Sequence, residues 1–346
     1  MKKLIKILSA NFFILLLLLV TTDLIFGDWF TKNNFGYSIR DQRNIKKFFI
    51  SKLDGRNIEY FFKRDNYGFI GNGQNPEDIK IVFEGGSTGE QIYTPPEFRL
   101  VDLLNSYLKK DNFKVIISNA SKGGKTTRGY VNDFKQWFPK IEKFNPSVVI
   151  FYIGINDSIL DFPSHFDRIE KINQKERFED YFKNNSFYYR IIKNLKQKNN
   201  PKIRLAYQIS KLQDELYKNF KYINYVEAKN NYKNLNLSKK EINLLYNFER
   251  NLNNLNYFIK KNNIQPIFIT QIRFDGLKFK NLFLVNEYLK EFTKLNDYKI
   301  IKLDELVSQM NEGDFYDEMH TTITGSIKIS KFIYPRLKIY LKELNF

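Results

Sequence analysis

The sequence predicts an α/β domain, a parallel sheet covered on both faces by helices, preceded by an apolar N-terminal helix and interrupted by a helical insertion. Three observations predict it. From Ile79 onwards, short apolar runs alternate with helical patterns, the order of a sheet wrapped by crossover helices. The run from Val148 to Ile153 is almost wholly apolar, as a central strand buried on both faces must be. Loops rich in glycine, asparagine and charge follow the runs, and right-handed crossovers gather such loops along one edge of the sheet.

Taken in order, the chain opens with Lys2, Lys3 and Lys6 ahead of an apolar run from Ile7 to Val20, which resumes at Leu24 to Phe26 after Thr21, Thr22 and Asp23. A signal-peptide core takes ~7–15 residues and a spanning helix ~20, and this segment falls between them. The residues before Asp28 are Ile25, Phe26 and Gly27, which make no small-x-small cleavage site. Residues 1–27 therefore read as an uncleaved signal anchor, with a cleaved peptide as the alternative. The lysines hold the amino terminus in the cytoplasm and place everything beyond the span outside it. Residues 28–78 mix charges with aromatics and read as a stalk and lead-in, with a hairpin around Tyr60 to Ile70.

The domain proper is expected over 79–346. Its strands are predicted at Ile79–Phe83, Val115–Ile117, Val148–Ile153, Pro266–Ile272 and Lys299–Leu303. Helical patterns occupy Phe98 to Leu108, Thr127 to Phe144 and Gly325 to Leu344. The interval 161–263 is helical in pattern, polar, and rich in Tyr, Phe, Lys and Asn. It reads as an insertion that caps the site or, on the plainer view, as helices that only pack on the sheet.

Composition narrows the chemistry. None of the 346 residues is cysteine, which excludes disulfides, thiolate metal sites and a cysteine nucleophile. The formal charge of +18 comes from lysines spread along the whole chain, together with abundant Asn, Ile, Phe and Tyr. Without a basic stripe interleaved with an RNA-binding motif, no nucleic-acid partner is expected. Weak attraction to an anionic membrane or glycan surface is the milder consequence.

Four loops carry residues of catalytic type. Glu84-Gly85-Gly86-Ser87-Thr88 follows the first strand, and Asn119 to Thr127, with Gly123-Gly124 inside it, follows the second. Gly154-Ile155-Asn156-Asp157 follows the third, and Asp317-Glu318-Met319-His320 precedes the last helix. A serine hydroxyl needs a base within hydrogen-bond reach, and a tetrahedral intermediate needs donors aimed at its oxyanion. Only two histidines exist; His165 lies in the insertion, whereas His320 follows Asp317 by three residues at the expected sheet edge. Each loop alone has a plainer reading: a turn at Ser87, a helix cap at Asn156-Asp157 or Asp317, a packed surface ring at His320. Gln271 and Arg273 end a strand on the same edge and read as structural.

In order and spacing, over about 240 residues, these loops resemble the blocks of the SGNH (GDSL-like) hydrolase superfamily. The resemblance implies a flavodoxin-like three-layer sandwich. It implies Ser87 as nucleophile and Asp317 and His320 as its partners, with an oxyanion hole from Ser87, Gly124 and Asn156. The family's aspartate before the serine is Gly86 here, which bears on substrate placement more than on catalysis. The Gly-Gly-Ser-Thr opening behind an anchor is similar to a subgroup of bacterial envelope members. The expected activity is a serine esterase or deacetylase acting on O-acyl, chiefly O-acetyl, groups of an envelope glycan, with no cofactor and no metal. The alternatives are an O-acetyltransferase on surface polysaccharide, a lipid esterase or thioesterase, and a non-catalytic glycan-binding assembly protein.

Overall fold

The computed structural model describes residues 2–30, 43–51, 57–159, 174–198, 221–233 and 236–346. Its first element, α1 (Lys2–Phe26), is one continuous helix with no buried residue. At 1.5 Å per residue it reaches about 37 Å, enough to cross a hydrocarbon core of about 30 Å. An antiparallel hairpin follows, β1 (Ile45–Ser51) with β2 (Ile58–Arg64), in the register Ile45 opposite Arg64. Side chains alternate across a strand, so Ile45 and Phe49 share one face with Tyr60 and Phe62 and bury a small cluster there. Beyond β2 the chain turns back, and Ile70 bridges both Arg64 and Asn119, fastening the hairpin to the edge of the main sheet. The segment expected to space the domain from the bilayer thus contributes a wall to it.

The main sheet contains β3 (Ile81–Gly85), β4 (Ile117–Asn119), β5 (Val148–Tyr152), β6 (Gln265–Ile269) and β7 (Lys299–Ile301), in the order β4-β3-β5-β6-β7. Every pairing is parallel. Counted from β3 the order is 2-1-3-4-5, the doubly wound flavodoxin-like arrangement, whose switch point lies between its first and third strands. The helices are α2 (Ser87–Glu90), α3 (Leu100–Lys110), α4 (Thr127–Asn132), α5 (Ile155–Ile159), α6 (Gln174–Asn185), α7 (Phe187–Lys198), α8 (Tyr225–Tyr232), α9 (Lys239–Lys261), α10 (Lys280–Leu295), α11 (Leu303–Leu306) and α12 (Ile323–Glu343). Strand alternation divides the core into two layers. Ile81, Phe83, Ile150 and Ile267 meet Leu104 of α3 and Ile333 and Leu337 of α12. Val82, Val149, Phe151 and Phe268 meet Leu252 of α9 and Leu289 of α10.

One difference from the sequence reading has plain causes. The pattern from Thr127 to Phe144 is not one helix: α4 ends at Asn132, a wider turn spans Asp133–Trp137, and a tight one spans Phe138–Lys140. Pro139 has no N–H for a continuing helix, and Asp133 is held by two lysines. The interval read as an insertion over 161–263 ends in a helix that belongs to one of the sheet's two covering layers, packing as its plainer reading has it. Ser238 and Glu241 form a capping box that starts α9, and its stripe of Phe248, Leu252, Leu255 and Ile259 is core. Helix α7 packs against α1 and β1. His165 lies outside the described residues.

Candidate active site

Because all five strands run the same way, the loops singled out in the sequence emerge at one edge. β3 delivers Gly85, and Gly86 is the extended residue before α2, whose first residue is Ser87. The amides of Ser87 and Thr88 open that helix and so have no carbonyl partner within it. Space, not backbone angle, makes residue 86 glycine: a Cβ there would stand 2.4 Å from Asn156 Nδ2.

The second loop is pinned from several sides. Asn119 Oδ1 accepts the Ser121 amide at 3.0 Å, and its Nδ2 donates to the Gly89 carbonyl at 3.0 Å. The Gly123 amide donates to Glu90 Oε2 at 2.7 Å. Gly124 follows at φ 75°, the left-handed region that glycine enters without strain. Among the described residues its amide makes no hydrogen bond, which leaves it open to a ligand. The Ser87 Cβ is 3.8 Å from where a Cβ on Gly123 would be, so the serine and this loop are neighbours.

From the far side of the switch point, Asn156 Nδ2 donates to the Lys125 carbonyl at 2.8 Å and keeps its second hydrogen. Asp157 accepts the Thr127 amide at 3.0 Å and its hydroxyl at 2.6 Å. Both side chains therefore reach across to the second loop instead of capping their own helix. Gln271 plays the structural part expected of it: Oε1 accepts the Ile155 amide at 2.7 Å and Nε2 donates to Thr88 Oγ1 at 2.8 Å.

His320 and Asp317 form a pair. His320 Nδ1 lies 2.7 Å from Asp317 Oδ2, and Asp317 Oδ1 accepts the Met319 and His320 amides at 2.9 and 2.8 Å. Burial works to raise the Asp317 pKa, but the imidazole and these amides outweigh it and hold the carboxyl below its usual range. Tyr316 stacks on the imidazole at 5.6 Å and 11°. The loop is tied back by Arg273, whose Nη2 sits 3.0 Å from Glu318 Oε2. It meets the serine helix through Gln91, whose Nε2 donates to Thr321 Oγ1 at 2.8 Å. Among the described residues no hydrogen bond joins Ser87 to His320. The structure brings their loops together and leaves that last contact open.

Sequence reasoning passed over two supports beneath these loops. Glu84 and Asp133 are buried with Lys122 and Lys125: Lys125 Nζ lies 2.6 Å from Glu84 Oε2 and 2.5 Å from Asp133 Oδ2, and Lys122 Nζ lies 3.3 Å from Asp133 Oδ1. Burial pushes Glu84 up and Lys122 down, and Lys125 opposes the shift at Glu84. The signal was present, since a glutamate inside an otherwise apolar strand must find a partner. The second support is Arg64 of β2, whose Nη2 lies 2.8 Å from Glu90 Oε1 and 2.6 Å from the Ser121 carbonyl. Its Nη1 also donates to the Gly68 carbonyl at 2.7 Å, but the partners that tie it to the site, Glu90 and Ser121, lie 26 and 57 residues away, where the local sequence does not mark them.

No protein-family model matches the chain, and no curated protein matches it. Among solved structures it is similar to a psychrotrophic esterase from Pseudoalteromonas sp., at 12% identity and a TM-score of 0.43, covering 77% of this chain and 100% of that one. It is similar to the lipase/acylhydrolase from Enterococcus faecalis, at 16% identity and a TM-score of 0.42, covering 75% and 95%. A third is an acetyl xylan esterase, at 13% identity and a TM-score of 0.40, covering 74% and 98%.

Proposed function

We propose that this chain is a serine hydrolase of ester-linked acyl groups, tethered to the outer face of a membrane by α1. The observation that carries the reading is the Asp317–His320 pair, fixed at 2.7 Å on the same sheet edge as Ser87. With Nδ1 held by the carboxylate, Nε2 is the nitrogen left to take the serine proton. Ser87 Oγ attacks the acyl carbonyl carbon while His320 accepts its proton. The ester C–O bond breaks, the alcohol leaves with that proton, and water repeats the sequence to free the acid. The amides of Ser87 and Gly124 and the unused Asn156 hydrogen are the donors for the oxyanion.

The substrate proposed is an O-acetylated glycan of the cell envelope. Support comes from the tether and from an aromatic side chain near the site, since aromatic faces suit sugar rings. Half-buried Tyr93 stands beside Glu90, edge-on to Phe49 at 5.6 Å. The test is to incubate the purified full chain with a short-chain ester, with O-acetylated oligosaccharides, and with the latter plus an acetyl donor, followed by mass spectrometry. A phosphonate ester would then trap the nucleophile. Deacetylation and an adduct on Ser87 are expected; an adduct elsewhere, or none together with no turnover, overturns the assignment.

A further inference from the structure

A groove of about 510 Å³ opens between the end of α1 and the α6–α7 pair, lined by Leu19, Val20, Leu24, Phe182, Tyr189 and Ile192. We propose that α6 and α7 dock into the outer leaflet beside α1, with the exposed apolar side chains of α7 against lipid. This rests on the reading of α1 as a membrane span.

Depth decides the matter. The apolar run of α1 from Ile7 to Phe26 rises about 30 Å, the thickness of a hydrocarbon core. Asp23 then lies one turn inside the outer boundary, where a bare carboxylate is costly. It is not bare: Oδ1 accepts from Ser186 Oγ at 3.0 Å and the Tyr188 amide at 3.2 Å, and Oδ2 accepts from Trp29 Nε1 at 3.0 Å. The junction of α6 and α7 therefore stands level with Asp23. Arg190 fixes it further, with Nη1 2.8 Å from Asp28 Oδ2 and Nη2 donating to the Phe26 carbonyl at 2.7 Å.

From that junction α7 runs between α1 and β1, and only its groove-facing side dips inward, as far as Ile192. Ile192 lines the groove with Leu19 and Val20, which lie about 5–6 Å deeper than Asp23 along α1. Ile191, Ile192 and Leu195 are 38%, 51% and 54% exposed, and Phe178 of α6 is 72% exposed. Their surroundings match an interface: Trp29, Tyr181 and Tyr188 are residues of the aromatic belt, and Lys183, Arg190 and Lys196 suit anionic headgroups. A lipid surface, continuous with the one α1 crosses, is the occupant that this combination of depth and charge fits.

The absence of native cysteine makes the test direct. Nitroxide labels on Ile191→Cys, Leu195→Cys, Leu15→Cys and Leu295→Cys full-length chains would be compared in nanodiscs of phosphatidylcholine and phosphatidylglycerol. Leu15 reports on the span, and Leu295, 78% exposed at the end of α10, reports on water. Accessibility to oxygen is expected to exceed accessibility to a nickel chelate at 191, 195 and 15, and the order is expected to reverse at 295. Nickel access at 191 and 195 with lipid exposure at 15 overturns the docking and leaves the span standing. Low access to both probes at 191 and 195 means that protein, such as a second copy, covers α7, and overturns it as well. Nickel access at 15 overturns the span and the docking together.

Discussion

Glu90 Oε2 accepts the Gly123 amide hydrogen at 2.7 Å while its other oxygen holds Arg64 at 2.8 Å. The first strand's helix, the second strand's loop and the N-terminal hairpin thus meet at one carboxylate. Glu90→Ala would strand the buried guanidinium of Arg64. Breaking such a pair costs about 3–5 kcal/mol, so a clear fall in thermal midpoint is expected together with loss of turnover. Glu90→Gln keeps an acceptor for Gly123 and should retain more of both. Thermal denaturation of the two variants decides; equal, unperturbed midpoints would mean that Arg64 is held by its carbonyl partners alone.

Ser87→Ala and His320→Ala should each lower turnover by a factor on the order of 10⁴ or more. The double variant should be scarcely worse than either single one, because the groups act as a unit. Losses that multiply in steady-state kinetics would show that the two residues do not cooperate.

Asn156→Ala should lower kcat by about 10²–10³, the loss expected for one oxyanion donor, with the fold retained. Gly86→Ala tests the same donor from the other side. Its methyl would stand where it drives the Asn156 amide off the Lys125 carbonyl, so the loss should match that of Asn156→Ala. Combining the two should add little. A Gly86→Ala enzyme of full activity would remove Asn156 from the mechanism.

Asp317 is held below the usual carboxylate range, which fixes the sign of its pH effect. The stability it contributes is complete above the unfolded carboxylate value of about 4 and is lost as pH falls through the lower folded value. Asp317→Asn should therefore melt below the unsubstituted chain at neutrality and at about pH 5, and the gap should close on further acidification through the lowered carboxylate value. Its kcat should fall by a factor on the order of 10⁴ at neutral pH, from the wrong imidazole tautomer. Melting curves across pH in which the gap widens below pH 4 would refute the sign.

The sheet was legible because its strands are short, apolar and separated by helical patterns. Val148 to Ile153 needed only hydrophobicity to be placed, and the structure ends that strand one residue earlier, at Tyr152. The apolar pattern marks the first strand at Ile79 to Phe83, two residues short of its end at Gly85, because Glu84 does not look like strand; only Lys125, 41 residues on, makes it tolerable there. The four loops were legible through residue type and order. Their supports were not. Arg64 reads as one more charge in a basic hairpin, and Lys122 and Lys125 stand in a loop whose plainer feature is its glycines. Burial of a charge is a tertiary property, fixed by partners that sequence distance hides.

The bond from Gln91 to Thr321 spans 230 residues, and it has a consequence in time. A chain made from its amino terminus presents Ser87, Gly124 and Asn156 long before Asp317 and His320 exist. β7, which leads to that pair, is the sheet's last strand and sits at its edge. On the assignment proposed for Ser87 and His320, the serine has no base until the stretch through Thr321 has been synthesised and has docked, however well the earlier loops have set. An unfinished chain is then inert as an esterase, and hydrolysis begins only once this last contact closes.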